Sequence, residues 1–211
     1  IRASDVILLA VKPNVAPGVL RENRAAFAGK AVISIVAGLT VATLKALLPA
    51  EARFLRVMPN TPAMAGAGMT ALCMEHTLTD AEKAFAESLF NAIGRTVWLH
   101  EYQMDGAVGV SGSGPAYAFL FLEAMADGGV ALGLSRQDAY LMAAQTLLGS
   151  AKLALESGKH PGELKDMVCS PAGTTIQAVR ALEEKGLRSA VMEAVIAAGE
   201  MSAAMSKEGA K

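Results

Sequence analysis

The sequence predicts an α/β domain followed by an all-α domain, with the boundary at about residue 99. Short apolar runs alternate with helical patterns in the first half, and β-type runs stop after about residue 102. The second half instead contains helical patterns rich in Ala, Gly and Ser. Strands that alternate with helices are typical of βαβ units and a largely parallel sheet. Residues 1–99 are therefore expected to form the α/β domain and residues 100–211 the helical domain.

The α/β domain is predicted to contain five strands. Residues 5–11 form a largely apolar run, which predicts a strand buried on both faces. Further apolar runs predict strands at residues 31–37, 54–58, 69–74 and 96–99. The intervening helices are predicted at residues 19–27, at residues 40–48, and from the capping box of Thr79 and Glu82 up to Gly94.

The second domain is predicted to contain five helices, most of them marked at an end by a local signal. Pro115 stands where a first-turn proline opens a helix, and Pro161 begins a shorter one that ends near Cys169. Ser135 caps a long helix that ends before Gly158. The last two helices are predicted at residues 173–184 and 188–207.

Composition excludes several classes of protein. The 211 residues are 53% hydrophobic and 18% charged, so the chain is not a disordered linker. Its 19 basic and 20 acidic residues argue against a nucleic-acid-binding surface. Two cysteines cannot form a disulfide framework, which favours a reducing, cytoplasmic compartment. Prolines and glycines interrupt the longest uncharged stretches, residues 57–74 and 106–122, so no membrane span is predicted.

The richest concentration of functional groups lies at residues 169–176. Ser170, Gly173, Thr174 and Thr175 stand at the start of a predicted helix. The free N–H groups and the dipole of a helix N-terminus attract a carboxylate, and hydroxyls add donors. Capping by Ser170 or Thr174 would use only one hydroxyl. Three hydroxyls beside a glycine exceed that need, so the segment is predicted to bind an anion.

Three other segments are weaker candidates. Residues 10–13 (AVKP) either place Lys12 at the sheet edge where ligands of open α/β folds bind, or form an ordinary turn. Residues 58–62 (MPNTP) contain two prolines, which suits either the wall of a pocket or a rigid turn. Glu101 and Asp105 straddle the predicted domain junction, either beside a substrate or as solvated linker charges.

Some common kinds of site are not predicted. The GxGxxG fingerprint of a dinucleotide-binding sheet is absent between the first strand and helix. Residues 111–115 (SGSGP) lack the GxSxG pattern and the preceding strand of a hydrolase nucleophile elbow, and are interpreted as a tight helix junction. No metal site is predicted because the histidines are scattered, at His76, His100 and His160.

Several segments together resemble one enzyme family. Residues 111–119 (SGSGPAYAF), 127–130 (DGGV) and 160–176 (HPGELKDMVCSPAGTTI) closely resemble pyrroline-5-carboxylate reductases, which catalyse the last step of proline biosynthesis. The motifs AVKP, SIVAG and RVMPNTP match the same family in the same order. The resemblance covers essentially all 211 residues, and its last segment is highly specific.

The resemblance implies a Rossmann-type cofactor domain for NADPH or NADH, followed by a helical substrate-binding and dimerisation domain. The Rossmann domain is expected to be partial, because the family's glycine-rich first βαβ unit is missing from residues 1–99. This chain alone is therefore expected to bind the cofactor poorly or to be inactive. The resemblance also implies a cytoplasmic homo-oligomer, a dimer or a decamer, with neither nucleic-acid nor membrane partners.

The resemblance further assigns roles to individual residues. Thr174 and Thr175 match substrate positions, with Ser170 and Gly173 as backbone donors to the substrate carboxylate, and Glu101 matches a substrate-contacting acid. Met167 stands where many relatives carry Asn, so local polar contacts are expected to differ. The cofactor-contacting residues are expected in two loops, Ala10, Val11 and Lys12 in one and Ile35, Val36 and Ala37 in the other.

The function implied is the reduction of 1-pyrroline-5-carboxylate to L-proline by NAD(P)H. The imine can arrive protonated, so catalysis depends on positioning rather than on a strong general acid. The Thr175 hydroxyl is the hypothesised catalytic group, hydrogen-bonded to the ring nitrogen. Two alternatives stay open: a non-catalytic oligomerisation fragment, and another β-hydroxyacid-dehydrogenase-like oxidoreductase. The latter generally carries a catalytic lysine on the first interdomain helix, and residues 106–123 contain none.

Overall fold

The strands lie in a single sheet in the order β1-β2-β3-β4-β5 in the computed structural model, which describes residues 1–208. Their bounds are β1 Val6–Leu9, β2 Ala31–Ser34, β3 Arg53–Met58, β4 Gly68–Cys73 and β5 Gly94–Leu99. The pairs β1–β2, β2–β3 and β4–β5 are parallel, and β3–β4 is antiparallel. The predicted α/β fold with a largely parallel sheet is confirmed. The antiparallel pair arises because a short 3-10 turn, Thr61–Ala65, joins β3 to β4 in place of a crossover helix.

Apolar residues pack on both faces of this sheet. Val32 and Phe54 belong to one buried cluster, while their neighbours Ile33 and Leu55 belong to another. Successive strand residues point to opposite faces, so both faces are buried against other elements. The helices that belong to the α/β part are α1 Ala16–Glu22, α2 Val41–Leu47 and α3 Asp80–Asn91.

One expectation about the first strand is wrong. The apolar run at residues 5–11 predicted burial on both faces, but the Leu8 side chain is 49% exposed. Within the described sheet, β1 is an edge strand that pairs only with β2. Its neighbour β2, paired on both sides, is buried at all four of its residues.

The remaining described helices follow β5. They are α4 Met104–Ala107, α5 Gly114–Ala131, α6 Arg136–Ser157, α7 Pro161–Val168, α8 Thr174–Glu184 and α9 Leu187–Glu208. A π-helical turn, Val108–Gly112, joins α4 to α5 and was not predicted. None of the helices within residues 1–208 is long and apolar enough to cross a membrane.

The chain packs as two compact units. One contains Ile1–Pro115 and the segment that begins at Ala194, and the other contains Ala116–Glu193. The domain boundary predicted after residue 99 stays a prediction. In the second unit, small side chains bring α5 and α6 together, because Ala126, Ala139 and Ala143 form a buried cluster.

Local signals at the helix ends agree with the predictions. The Thr79 side chain accepts a hydrogen bond from the Glu82 N–H, while the Glu82 side chain bonds back to the Thr79 backbone. Ser135 caps α6 through the Asp138 N–H, and Gly158 ends that helix in the left-handed conformation. Each signal acts over a few residues, which is why sequence alone located it.

Glu82 also makes a two-bond ion pair that predicts how stability depends on pH. Arg53 donates to both of its carboxylate oxygens, at 2.7 Å from Nη2 to Oε1 and 2.8 Å from Nε to Oε2. These hydrogen bonds lower the pKa of Glu82 to about 2. Since the folded pKa lies below the ordinary value of 4.5, the pair stabilises the fold above about pH 4.5. That contribution is lost as pH falls through about 2.

We therefore expect the free energy of unfolding of Glu82→Gln to depend less on pH in the acidic range than that of the unmodified chain. The free energy of unfolding, measured by denaturant titration at a series of acidic pH values, should fall less steeply in the variant than in the unmodified chain. Glu87→Gln is the control, because Glu87 lies on the same helix and makes no ion pair within residues 1–208. Equal slopes for Glu82→Gln and the unmodified chain would contradict the prediction.

Candidate functional site

The two predicted cofactor loops follow adjacent parallel strands. Ala10, Val11 and Lys12 come directly after β1, and Ile35–Ala37 come directly after β2. The Ile35 N–H donates to the Leu9 carbonyl at 3.1 Å, so the loops begin side by side. Carboxyl ends of parallel strands form the edge at which open α/β sheets bind ligands. The structure therefore brings the members of this predicted set together.

The two loops differ in burial. Ala10, Val11 and Lys12 are exposed, and the Lys12 carbonyl accepts hydrogen bonds from the N–H groups that begin α1. In the second loop Val36 is buried, and its N–H lies 3.4 Å from Ser34 Oγ. One loop thus presents a cation and backbone to solvent, while the other is anchored in the core.

Glu101 lies just beyond β5 and is held by neighbours from three other parts of the first unit. Its Oε1 accepts from the Val41 N–H at 2.6 Å and from Arg56 Nη1 at 3.0 Å. Its own N–H donates to Glu75 Oε2 at 2.7 Å. Glu101 is therefore a fixed acid rather than a mobile linker charge. Arg56 belongs to the RVMPNTP motif, but the motif by itself predicts no role for this residue.

Glu75 extends this network on its exposed side. His100 Nδ1 lies 2.9 Å from Glu75 Oε1, and Cys73 Sγ lies 3.3 Å from Oε2. The hydrogen bond from His100 and the backbone N–H of Glu101 lower the pKa of Glu75 to about 2. Burial raises the pKa of the Cys73 thiol to about 12, so the thiol stays protonated at neutral pH and donates to Glu75.

Asn60, in the MPNTP motif, has a structural role, because its side chain bonds to two separate segments. Its Oδ1 accepts from the Met69 N–H at 2.9 Å, and its Nδ2 donates to the Ser111 carbonyl at 3.0 Å. The amide thus connects β4 to the π-helical turn. Ser111 lies in this helical turn and not after a strand, which agrees with the interpretation of residues 111–115 as a helix junction.

The predicted anion site lies at the start of α8, in the second unit. The helix begins at Thr174 with Gly173 as its N-cap, and no side chain caps it within the described chain. Capping therefore consumes neither the Ser170 nor the Thr174 hydroxyl. The Gly173 N–H is already used, since it donates to the Ser170 carbonyl at 3.0 Å. The first-turn N–H groups, beginning with Thr174 and Thr175, have no acceptor inside the helix.

Close packing constrains this loop. A Cβ added at Gly173 would lie 2.2 Å from Ser170 Oγ and 3.1 Å from its carbonyl oxygen. Ala172 adopts the left-handed conformation with φ of 58°, which is unfavourable for a residue with a Cβ. Met167, on the preceding helix, is 64% exposed.

The strain at Ala172 predicts a stabilising substitution. Ala172→Gly should raise the free energy of unfolding by about 0.5–1 kcal/mol, because removing the Cβ removes a cost of about 1–2 kcal/mol that the greater freedom of unfolded glycine partly offsets. Ala181→Gly, in the regular helix α8, is the matched control and should cost about 0.5–1 kcal/mol. Thermal and denaturant unfolding measure both. Destabilisation by both changes would show that Ala172 is not strained.

The predicted site residues fall into two groups. The cofactor loops and Glu101 belong to the first unit, and Ser170, Gly173, Thr174 and Thr175 belong to the second. The two cofactor loops follow neighbouring strands, and the residues at the start of α8 are close in the chain. Glu101 follows β5 and contacts Arg56 and the start of α2 rather than the cofactor loops themselves.

Two family models match parts of this chain. The family model described as pyrroline-5-carboxylate reductase dimerisation matches residues 101–205. A model described as NADP oxidoreductase coenzyme F420-dependent matches residues 1–38. The pyrroline-5-carboxylate reductase of Escherichia coli (strain K12) is 47% identical over 205 residues, covering 97% of this chain and 76% of the relative. That of Methanosarcina acetivorans is 46% identical over 209 residues, covering 99% and 77%.

Solved structures give the same result. A crystal structure of the Plasmodium falciparum pyrroline carboxylate reductase with NADP bound has a TM-score of 0.91 at 36% identity, covering 97% of this chain and 78% of that one. The structure of a pyrroline-5-carboxylate reductase from Coxiella burnetii has a TM-score of 0.89 at 37% identity, covering 97% and 77%. The chain belongs to the pyrroline-5-carboxylate reductase family.

Proposed function

We propose that this chain catalyses the reduction of 1-pyrroline-5-carboxylate to L-proline by NADPH or NADH, the last step of proline biosynthesis. The observation that carries the proposal is the start of α8. Its first-turn N–H groups have no acceptor within the helix and lie beside three hydroxyls, in a chain of this family. An anionic imine substrate needs such a clamp, because the rate depends on holding its C=N carbon in a reactive position.

Each predicted site residue at the start of α8 has its own part in holding the substrate. The N–H groups of Thr174 and Thr175 bind the substrate carboxylate, aided by the positive end of the helix dipole. The Thr175 hydroxyl hydrogen-bonds the ring nitrogen and orients it. Gly173 is the N-cap of α8. We give it no direct bond to the substrate, because its N–H already donates to the Ser170 carbonyl. Ser170 contributes its hydroxyl and backbone, and Glu101 contacts the substrate.

The residues of the first unit fit a nicotinamide dinucleotide. Two adjacent loops present Lys12 and exposed backbone at the carboxyl edge of a parallel sheet, the usual place for such a ligand. Lys12 would neutralise a phosphate, and Ala10, Val11, Ile35, Val36 and Ala37 would line the nucleotide. The bound cofactor supplies the hydride. The protein's part is to orient the donor and exclude competing reactions.

Self-association is also part of the proposal. The match to a dimerisation family covers residues 101–205, and helices in this range expose large apolar side chains. Examples are Phe119 at 63%, Leu120 at 67% and Leu141 at 67% exposed. Apolar surface of this kind is typical of a protein–protein interface. We assign it to a homodimer, which can assemble further into a decamer, in the cytoplasm.

The test is nicotinamide absorbance during incubation with 1-pyrroline-5-carboxylate and either NADPH or NADH. Oxidation that requires the imine would support the reductase. Activity that appears only when a relative's glycine-rich βαβ segment is fused ahead of residue 1 would show that the cofactor site needs that segment. No oxidation in either form, with self-association intact, would favour an oligomerisation fragment instead.

A further inference from the structure

The buried arginine of β3 has no part in the function described so far. Arg56 is only 6% exposed, and its charged partner within residues 1–208 is Glu101, at 3.0 Å. In the register of the parallel strands, Arg56 pairs with Ser34, which in turn pairs with Leu9. Arg56 therefore lies level with the strand ends that carry both cofactor loops. A buried guanidinium is costly to retain unless it is paired.

Glu101 links Arg56 to the start of α2. The oxygen that binds Arg56, Oε1, also accepts from the Val41 N–H at 2.6 Å. Val41 is the first residue of α2 and is buried in the core beneath it. Thr40 caps the same helix through the Thr43 N–H. The start of α2 is thus held both by its own cap and by a carboxylate 60 residues further along the chain.

The loop between β2 and α2 is anchored at both ends as a result. At its start, the Ile35 N–H bonds to the Leu9 carbonyl. At its end, Val41 bonds to Glu101. Between these anchors the chain turns at Gly38, whose φ of 79° is in the left-handed region. Residues 35–37 therefore lie between an anchor to β1 and an anchor to Glu101 at the start of α2.

We infer that Arg56 is a positioning residue for cofactor binding, acting through Glu101 and the Val41 N–H on the loop Ile35, Val36 and Ala37. The inference rests on the proposed function, which places the cofactor at this loop. Without Arg56, the Glu101 carboxylate loses the cation that orients it and keeps only the hydrogen bond from the Val41 N–H, so its hold on the start of α2 weakens. The loop then samples several positions, and the affinity falls with the fraction that is competent to bind.

The first test compares two replacements of Arg56. NADPH binding, measured by the change in its fluorescence, should weaken by about tenfold in Arg56→Met, the loss expected for one charged hydrogen bond. Arg56→Lys, which keeps the cation, should recover most of the affinity. Arg53→Met is the matched control, since it removes an ion pair at the other end of the same strand. It should lower the unfolding temperature and leave NADPH affinity unchanged.

The second test removes only the hydrogen bond to α2. Val41→Pro deletes the N–H that Glu101 accepts, at the first helical position, where proline fits the backbone. The preceding Thr40 has ψ of 163°, which is compatible with a following proline. Val41→Pro should weaken NADPH binding about as much as Arg56→Met does. Val41→Ala keeps the N–H and should bind nearly normally.

The outcomes separate the inference from the function on which it rests. An unmodified chain that binds no NADPH, even with the glycine-rich segment fused ahead of it, would contradict the proposed function. An unmodified chain that binds, together with unchanged affinity in Arg56→Met and Val41→Pro, would overturn the inference alone. Equal losses of affinity in Arg56→Met and Arg53→Met would also overturn it, because they would indicate general destabilisation.

Discussion

Replacement of Thr175 by Ala is expected to lower kcat by about a hundredfold, the effect of removing one well-placed hydrogen-bonding group from a reacting centre. Thr175 lies in the first turn of α8, where its N–H has no acceptor within the helix. The substitution keeps that N–H and removes only the hydroxyl. Substrate affinity should therefore fall less than turnover. NADPH affinity should not change, because Thr175 is not placed at the cofactor.

Two further variants separate the hydroxyl from the shape of the side chain. Thr175→Ser keeps the hydroxyl and should retain most activity, whereas Thr175→Val keeps the shape and should behave like Thr175→Ala. Steady-state kinetics with 1-pyrroline-5-carboxylate as the varied substrate measures kcat and KM for each. If Thr175→Ala left both turnover and affinity unchanged, the hydroxyl would have no role at the ring nitrogen.

Replacement of Gly94 by Ala is expected to reduce the free energy of unfolding by about 3 kcal/mol or more, the upper range for overpacking. Gly94 pairs with Gly68 where β5 meets β4. A Cβ on Gly94 would lie 2.0 Å from the Gly68 carbonyl oxygen and 2.5 Å from its nitrogen. These are backbone atoms, so the contact can be relieved only by separating the two strands.

Gly18→Ala is the control for this substitution. A Cβ at Gly18, in helix α1, would meet no atom within 4 Å. Because alanine favours a helix more than glycine does, this change should be neutral or stabilising. Denaturant unfolding measures both variants. A loss below about 1 kcal/mol in Gly94→Ala would show that the strands adjust at little cost.

Local signals in the sequence located most of the secondary structure. The capping box at Thr79, the cap at Ser135 and the opening prolines Pro115 and Pro161 each act within one helical turn. Apolar runs located the strands because a strand between two helical layers is buried on both faces. Leu8 shows the limit of that argument, since the same composition also occurs in an edge strand.

The π-helical turn Val108–Gly112 was missed for a related reason. Its residues are small or apolar and carry no capping pattern. A Cβ on Gly109 would lie 2.5 Å from the Val195 carbonyl oxygen, on a helix 86 residues later in the chain. Such a contact leaves no mark within a short window of sequence. It appears only when the two segments are packed.

Most strands and helices could be predicted in their order along the chain, as could several helix ends that carry a cap and, through the motifs, the enzyme family. Those features depend on local propensity and on chemical groups that are close in the chain. Long-range packing, in contrast, is what makes Glu101 hold both Arg56 and the start of α2, and what requires Gly68 and Gly94 to lack side chains. These contacts join residues 26 to 60 positions apart, and their energies depend on distances of a few ångströms that no periodicity encodes.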